Sequence, residues 1–221
     1  MGPQASAYLY NLLIQKAISD FGVEKDDQFP EIIIYSVTVP NFISNKKSVR
    51  QALKILEDRI KQINKLDISS LSIACNTAHL ILPQLEEISK IPFTSMITEV
   101  VKSVQSERRN KIGLLGTPTT IRAGIYQNQL TERGIETVLP EANELPKLEK
   151  VIRNVLRGKR SERDVETLKK IAMRLKVNGA EGIILGCTEL PLIFPKQFSL
   201  PIFNSLDILA VNLLKKYYGK R

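Results

Sequence analysis

Two stretches of this chain, LSIACNTAHLILP (71–83) and GIILGCTELPLIFP (182–195), read as copies of one motif. Each is a short apolar run ending on a cysteine, then a threonine within two residues, an apolar stretch and a proline. Each is followed by a second short run with proline in its second position, IPFTSM (91–96) and LPIFNS (200–205). Short β-branched runs bounded by turn formers read as strands, and runs this apolar throughout are expected where helices cover both faces of a sheet. Repetition in a fixed order points to two similar halves.

Working outward, GTPTTIRAGIYQNQL (116–130) corresponds to MGPQASAYLYNLL (1–13): a Gly/Pro turn, small or hydroxylated residues, and an amphipathic helix carrying a tyrosine. Further strands are predicted at EIIIYSV (31–37), KIGLLGT (111–117) and IETVL (135–139). Helical periodicity covers 48–65, the stretch through Leu85, the stretch from Thr98, 119–133, 147–157, 161–177 and the stretch from Leu206. This alternation predicts an α/β protein of two pseudo-symmetric domains, each a parallel sheet flanked by helices, with the active site in the interdomain cleft. Residues 1–98 with the terminal helix 206–221 make the first domain, and residues 99–205 the second. One mismatch stands out. KIGLL precedes the second copy of the Gly/Pro unit, whereas the first copy begins at Met1. The expectation is a first domain lacking its first strand here, in a natural protein that is longer or starts elsewhere.

Composition bounds the function. The 221 residues, 43% of them hydrophobic, suffice for one large core or two small ones. No apolar run approaches the roughly 20 residues that span a bilayer, and the start lacks a signal peptide's basic segment and cleavage site. The expectation is a cytoplasmic protein with no membrane partner. In such a setting the two cysteines, 112 positions apart, point to catalytic or metal roles rather than a disulfide. The net charge of +9 comes from basic residues mixed with acids, as in EDRIKQINK (57–65) and RGKRSERDVETLKK (157–170), with no aromatic platform beside them. That pattern describes solvated helix faces rather than a nucleic-acid surface, though it favours anionic substrates.

Cys75 and Cys187 each fall at the last position of a predicted strand, before a turn and helix, which is the active-site edge of an open α/β sheet. A helix N-terminus there lowers a thiol pKa. For one cysteine, simple burial as a small hydrophobe explains the position equally well. Two at equivalent places in a repeat suit a facing acid and base: one thiolate removes a Cα proton and the other thiol returns one to the opposite face. The developing charge at Cα needs stabilisation. Asn76, Thr77, Thr117, Thr119, Thr120 and Thr188 all lie at strand-to-helix turns where they can hold a carboxylate, or simply cap helices. Glu189 can receive a substrate ammonium, assist Cys187, or cap. His79 falls one helical turn after Cys75, where tuning the thiolate, binding substrate and a structural hydrogen bond are all open to it. Cys75, His79 and Cys187 lack the spacing of a zinc site, so no metal is expected.

CNTAH (75–79), GCTEL (186–190), GTPTT (116–120) and MGPQAS (1–6) together resemble the motif set of the aspartate/glutamate racemase superfamily, specifically its aspartate-racemase branch, over nearly the whole chain. The resemblance implies two pseudo-symmetric α/β domains, no pyridoxal phosphate or metal, Cys75 and Cys187 as the catalytic pair, a carboxylate cradle from Asn76 and Thr77, and a homodimer. GCTEL rather than GCTH points away from peptidoglycan-type glutamate racemases, and two cysteines rather than one point away from the related decarboxylases. The family's leading strand and its GG are absent. Where aspartate racemases carry PDR to grip a side-chain carboxylate, this chain reads Pro40, Asn41, Phe42, which removes a guanidinium and its bidentate pairing. Arg160 matches the family's second basic residue, a lysine. The function implied is interconversion of L- and D-aspartate or a related amino acid. The alternatives are a superfamily isomerase of another substrate, such as maleate, a hydantoin or a broader set of amino acids, and a non-catalytic amino-acid-binding paralogue.

Overall fold

A computed structural model describes residues 2–40 and 46–219, the side chains of 46 and 47 excepted. Asn41 and Phe42, the departure from PDR, lie outside the described residues. The helices are α1 (Pro3–Phe21), α2 (Lys46–Ile63), α3 (Leu82–Ile88), α4 (Met96–Ser106), α5 (Pro118–Arg122), α6 (Ile125–Thr131), α7 (Leu145–Leu156), α8 (Glu162–Val177) and α9 (Ser205–Tyr218). The strands are β1 (Lys111–Gly116), β2 (Glu136–Val138), β3 (Ile183–Gly186) and β4 (Ile202–Asn204). Among the described residues no helix is long and apolar enough to cross a membrane.

The protein is α/β, and its parallel sheet has the order β2-β1-β3-β4. β1 and β3 are central and, after Lys111 at the start of β1, apolar throughout, as strands must be when both faces are covered. Ile112, Leu114, Leu115, Ile183 and Ile184 are fully buried. Helices α4, α6, α7 and α8 close around them in one continuous core. Side chains fix where helices begin: the Ser95 hydroxyl accepts from the Thr98 N–H, the Ser161 hydroxyl from the Asp164 N–H, and the Asn204 carbonyl from the Leu206 N–H. The centre of the sheet is tight. A Cβ on Gly186 would lie 2.9 Å from Leu114 Cδ1 and 3.1 Å from the Leu115 carbonyl oxygen.

The first half differs from the sequence expectation. The runs 31–37, 71–75 and 91–95 form no ladder, only an isolated parallel bridge between Leu71 and Phe93, and Met96 already opens α4. That bridge nevertheless copies the second half. The Leu71 N–H donates to the Pro92 carbonyl at 3.0 Å, as the Ile183 N–H donates to the Pro201 carbonyl at 2.9 Å. Since Leu71 stands four residues before Cys75 and Ile183 four before Cys187, the two halves share a register. Among the described residues the first half shows no counterpart of β1. A strand exists only by pairing, so β-prone local chemistry alone leaves 31–37 as coil. The apolar side chains there divide into two separate clusters, one between α1 and α9 and the other around α2 and α3.

Candidate active site

Both cysteines arise where an extended segment gives way to a tight turn. After Cys75 the chain enters a 3-10 turn, Thr77–Ile81; after Cys187 and Thr188 it enters another, Leu190–Leu192. Neither thiol is in a disulfide; Cys187 is buried and Cys75 half-buried. Burial pushes both thiols up from their ordinary pKa, and the Glu189 carboxylate pushes both further. Backbone N–H groups of Ala78 and Thr77 oppose this at Cys75, and that of Glu189 at Cys187. Each cysteine is therefore a protonated thiol at rest. Cys187 also feels the charge of Cys75, so the pair shares one electrostatic environment.

Glu189 is central to that environment. Its Oε2 accepts from the Cys187 thiol at 3.0 Å and the Thr188 hydroxyl at 2.9 Å, with the residue only 6% exposed. Its other oxygen faces the start of α1, where a Cβ on Gly2 would come within 2.8 Å of Oε1. Gly2 is glycine because the backbone passes this close to the carboxylate, not because of its φ of −72°. Among the described residues no ion pair reaches Glu189. Its hydrogen-bond partners, the Cys187 thiol and the Thr188 hydroxyl, are neutral groups, so the carboxylate's charge acts on whatever lies beside it.

Three threonines from both halves form a closed ring of hydroxyls. Thr77 lies 3.1 Å from Thr117 and 2.9 Å from Thr120, and Thr117 lies 2.9 Å from Thr120. The Thr117 hydroxyl also caps α5, accepting from the Thr120 N–H. Capping and substrate binding are thus compatible roles here. Asn76 is held at both ends of its amide: Tyr126 donates to Oδ1 at 2.5 Å, and Nδ2 donates to the Ser205 hydroxyl at 3.1 Å, which in turn donates to the Leu185 carbonyl at 3.0 Å. One Nδ2 hydrogen remains for a ligand. Sequence reasoning missed Tyr126 and Ser205, which tie the turn after Cys75 to the strands that carry Cys187. The one sequence signal was the tyrosine common to both copies of the Gly/Pro unit. Burial raises the Tyr126 phenol, with the charge of Cys187 adding to it, so the hydroxyl stays a donor.

His79 takes the structural option. Its Nδ1 lies 2.9 Å from the Cys75 carbonyl, and its Nε2 accepts from the Met96 N–H at 3.1 Å. The Met96 donor sets the tautomer: Nδ1 carries the proton and donates to the carbonyl. With both ring nitrogens engaged, His79 is not free to join the cysteines around a metal ion, and the described residues contain no group of three or more metal-ligating side chains placed to hold one. Arg160 is exposed on the turn between α7 and α8, outside the hydrogen-bonded cluster, four residues beyond Leu156, whose Cδ2 would lie 3.3 Å from a Cβ on Gly2.

The fold and site define a class of α/β protein in which two related halves bring equivalent thiols to one buried polar cluster. Residues 1–213 match the model of the Asp/Glu/hydantoin racemase family, and the chain belongs to that family. It is similar to the broad-specificity amino-acid racemase of Bacillus subtilis, with 22% identity over 98% of this chain and 95% of that one. It is also similar to the glutamate racemase of Helicobacter pylori strain P12, with 31% identity over 89% of this chain and 81% of that one. The aspartate racemase of Picrophilus torridus superposes with a TM-score of 0.85 at 26% identity, covering 100% of this chain and 92% of that chain.

Proposed function

We propose that this member of the racemase family interconverts the enantiomers of an amino acid, aspartate first among them, by two-base proton transfer between Cys75 and Cys187 without a cofactor. The carrying observation is that equivalent thiols from the two halves sit in the field of one buried carboxylate. In this reading the substrate ammonium lies beside Glu189. Its positive charge offsets the carboxylate that holds both thiols up, so a thiolate becomes accessible once substrate is bound. That thiolate removes the Cα proton, and the opposite thiol gives its own proton to the other face. The substrate carboxylate lies against the hydroxyls of Thr77, Thr117 and Thr120 and the spare Asn76 hydrogen, which stabilise charge spreading from Cα. Thr188 steadies Glu189. Arg160 supplies a rim cation for an anionic side chain, the homodimer goes with the family resemblance, and the cytoplasmic setting with the sequence composition.

The similar proteins named for aspartate, glutamate and broad specificity leave side-chain preference to Arg160 and the segment near position 42. Incubation with single L-amino acids in deuterated water, reading loss of the Cα proton signal and the appearance of the D-enantiomer, tests chemistry and specificity together. Cys75→Ala and Cys187→Ala should each lower racemisation by about a hundredfold or more; full turnover in either variant rules out the pair. A second reading, amino-acid binding without turnover, is favoured by the absence of a ladder around 71–75. It requires thermal stabilisation by ligand with no exchange at Cα.

A further inference from the structure

Four groups in the site form a chain of hydrogen bonds whose direction is dictated from one end. That end is the Leu185 carbonyl of β3, which can only accept. The Ser205 hydroxyl, on the first residue of α9, gives it its single proton at 3.0 Å. Ser205 is then left to accept from Asn76 at 3.1 Å, so the amide atom facing it has to be the nitrogen. The amide oxygen accordingly faces Tyr126 of α6, whose phenol donates to it at 2.5 Å. Tyr126 and Ser205 are fully buried and Asn76 is 2% exposed, so bulk water cannot supply a substitute partner. Turning the amide over would set its oxygen against the Ser205 oxygen with no proton between them, and would leave the phenol proton without an acceptor.

We infer that Tyr126 and Ser205 are positioning residues that lock the Asn76 amide in one orientation, so that the turn after Cys75 offers a ligand carboxylate an N–H and never a carbonyl oxygen. The inference rests on the two-thiol reading for its kinetic consequences, and on the hydrogen-bond chain alone for the amide. The hydroxyls of Thr77, Thr117 and Thr120 can each turn from donor to acceptor. Asn76 cannot. A donor that is already fixed needs no reorganisation when charge spreads from Cα, which is where such a group contributes most. The chain also reaches towards both thiols, since Asn76 follows Cys75 and Leu185 stands two residues before Cys187. The amide is thereby held relative to both.

Tyr126→Phe removes one hydroxyl and keeps the ring, and Ser205→Ala removes the other. Each should lower kcat for racemisation about tenfold while leaving KM within about threefold. Asn76→Ala should lower kcat about a hundredfold, and adding Tyr126→Phe to it should cost nothing more, because the phenol acts through the amide. A second readout needs no turnover. The Asn76 side-chain amide protons, assigned in the NMR spectrum by their absence from Asn76→Ala, should exchange with solvent about tenfold faster in Tyr126→Phe and in Ser205→Ala than in the unaltered chain. Unchanged amide exchange in both variants overturns the inference, whatever happens to Tm or kcat, because the hydroxyls would then be structural only. A fully additive loss in the double variant overturns it as well. If the unaltered chain turns over no amino acid, the two-thiol reading fails and the exchange rates decide the locked amide by themselves: faster in both variants upholds it, and unchanged in both removes it.

Discussion

Glu189 and His79 show how single side chains set the chemistry around the thiols. Glu189 raises both cysteines by its charge. Glu189→Gln removes that charge and keeps an acceptor, so the pH midpoint of iodoacetamide alkylation should move down for both cysteines; an unchanged midpoint would show that burial alone governs them. His79 is held neutral between a carbonyl and an N–H, with its pKa lowered from 6.5 to about 4 by burial. Below pH 6.5 the unfolded chain gains a proton there that the folded protein refuses until about pH 4. The stability linked to His79 is therefore complete above pH 6.5 and is lost as pH falls towards 4, about 3 kcal/mol across the window at about 1.4 kcal/mol per unit. His79→Gln should flatten the slope of unfolding free energy against pH in that window by about one proton. At this scale the cysteines, Thr77, Thr117, Thr120 and Glu189 were legible in the sequence because the repeat marked equivalent turns. Tyr126 was not, since its partner Asn76 lies 50 residues away and nothing local signals the contact.

Among the elements, β3 is the most constrained, because it must bring Cys187 to the cluster while β1 and α6 press against its end. A Cβ on Gly186 would meet Leu114, Leu115 and Tyr126 within 3.1 Å. Gly186→Ala should cost about 2 kcal/mol, seen as a Tm lower by about 4–8 °C, and should also disturb the Tyr126 contact to Asn76. The order of helices and second-half strands followed from periodicity, which local sequence carries. The first-half sheet did not, because EIIIYSV has the composition of a strand but the pairing that makes one depends on a neighbour elsewhere.

Across the whole molecule, packing is uneven: one continuous core surrounds the sheet, and two smaller clusters sit apart in the other half. Native-state hydrogen exchange should follow that division. Amides of β1 and β3 should exchange more slowly than those of 31–40 by about a hundredfold or more; uniform protection would contradict the split. Helix α9 bridges the two regions: Leu206, Leu209, Ala210 and Leu214 pack in the cluster with α1 and Met96 of α4, while Ile208 packs against the core around the sheet.

The ring of three threonine hydroxyls carries one more consequence. Each hydroxyl has a single proton, so the closed ring admits two patterns of donation, clockwise and anticlockwise, each with the same number of hydrogen bonds. An arriving anion needs only one proton to swing outward, and either circulation can release it. Turning one proton outward leaves the other two hydrogen bonds of the ring in place, so three side chains can keep their positions while one of them changes partner.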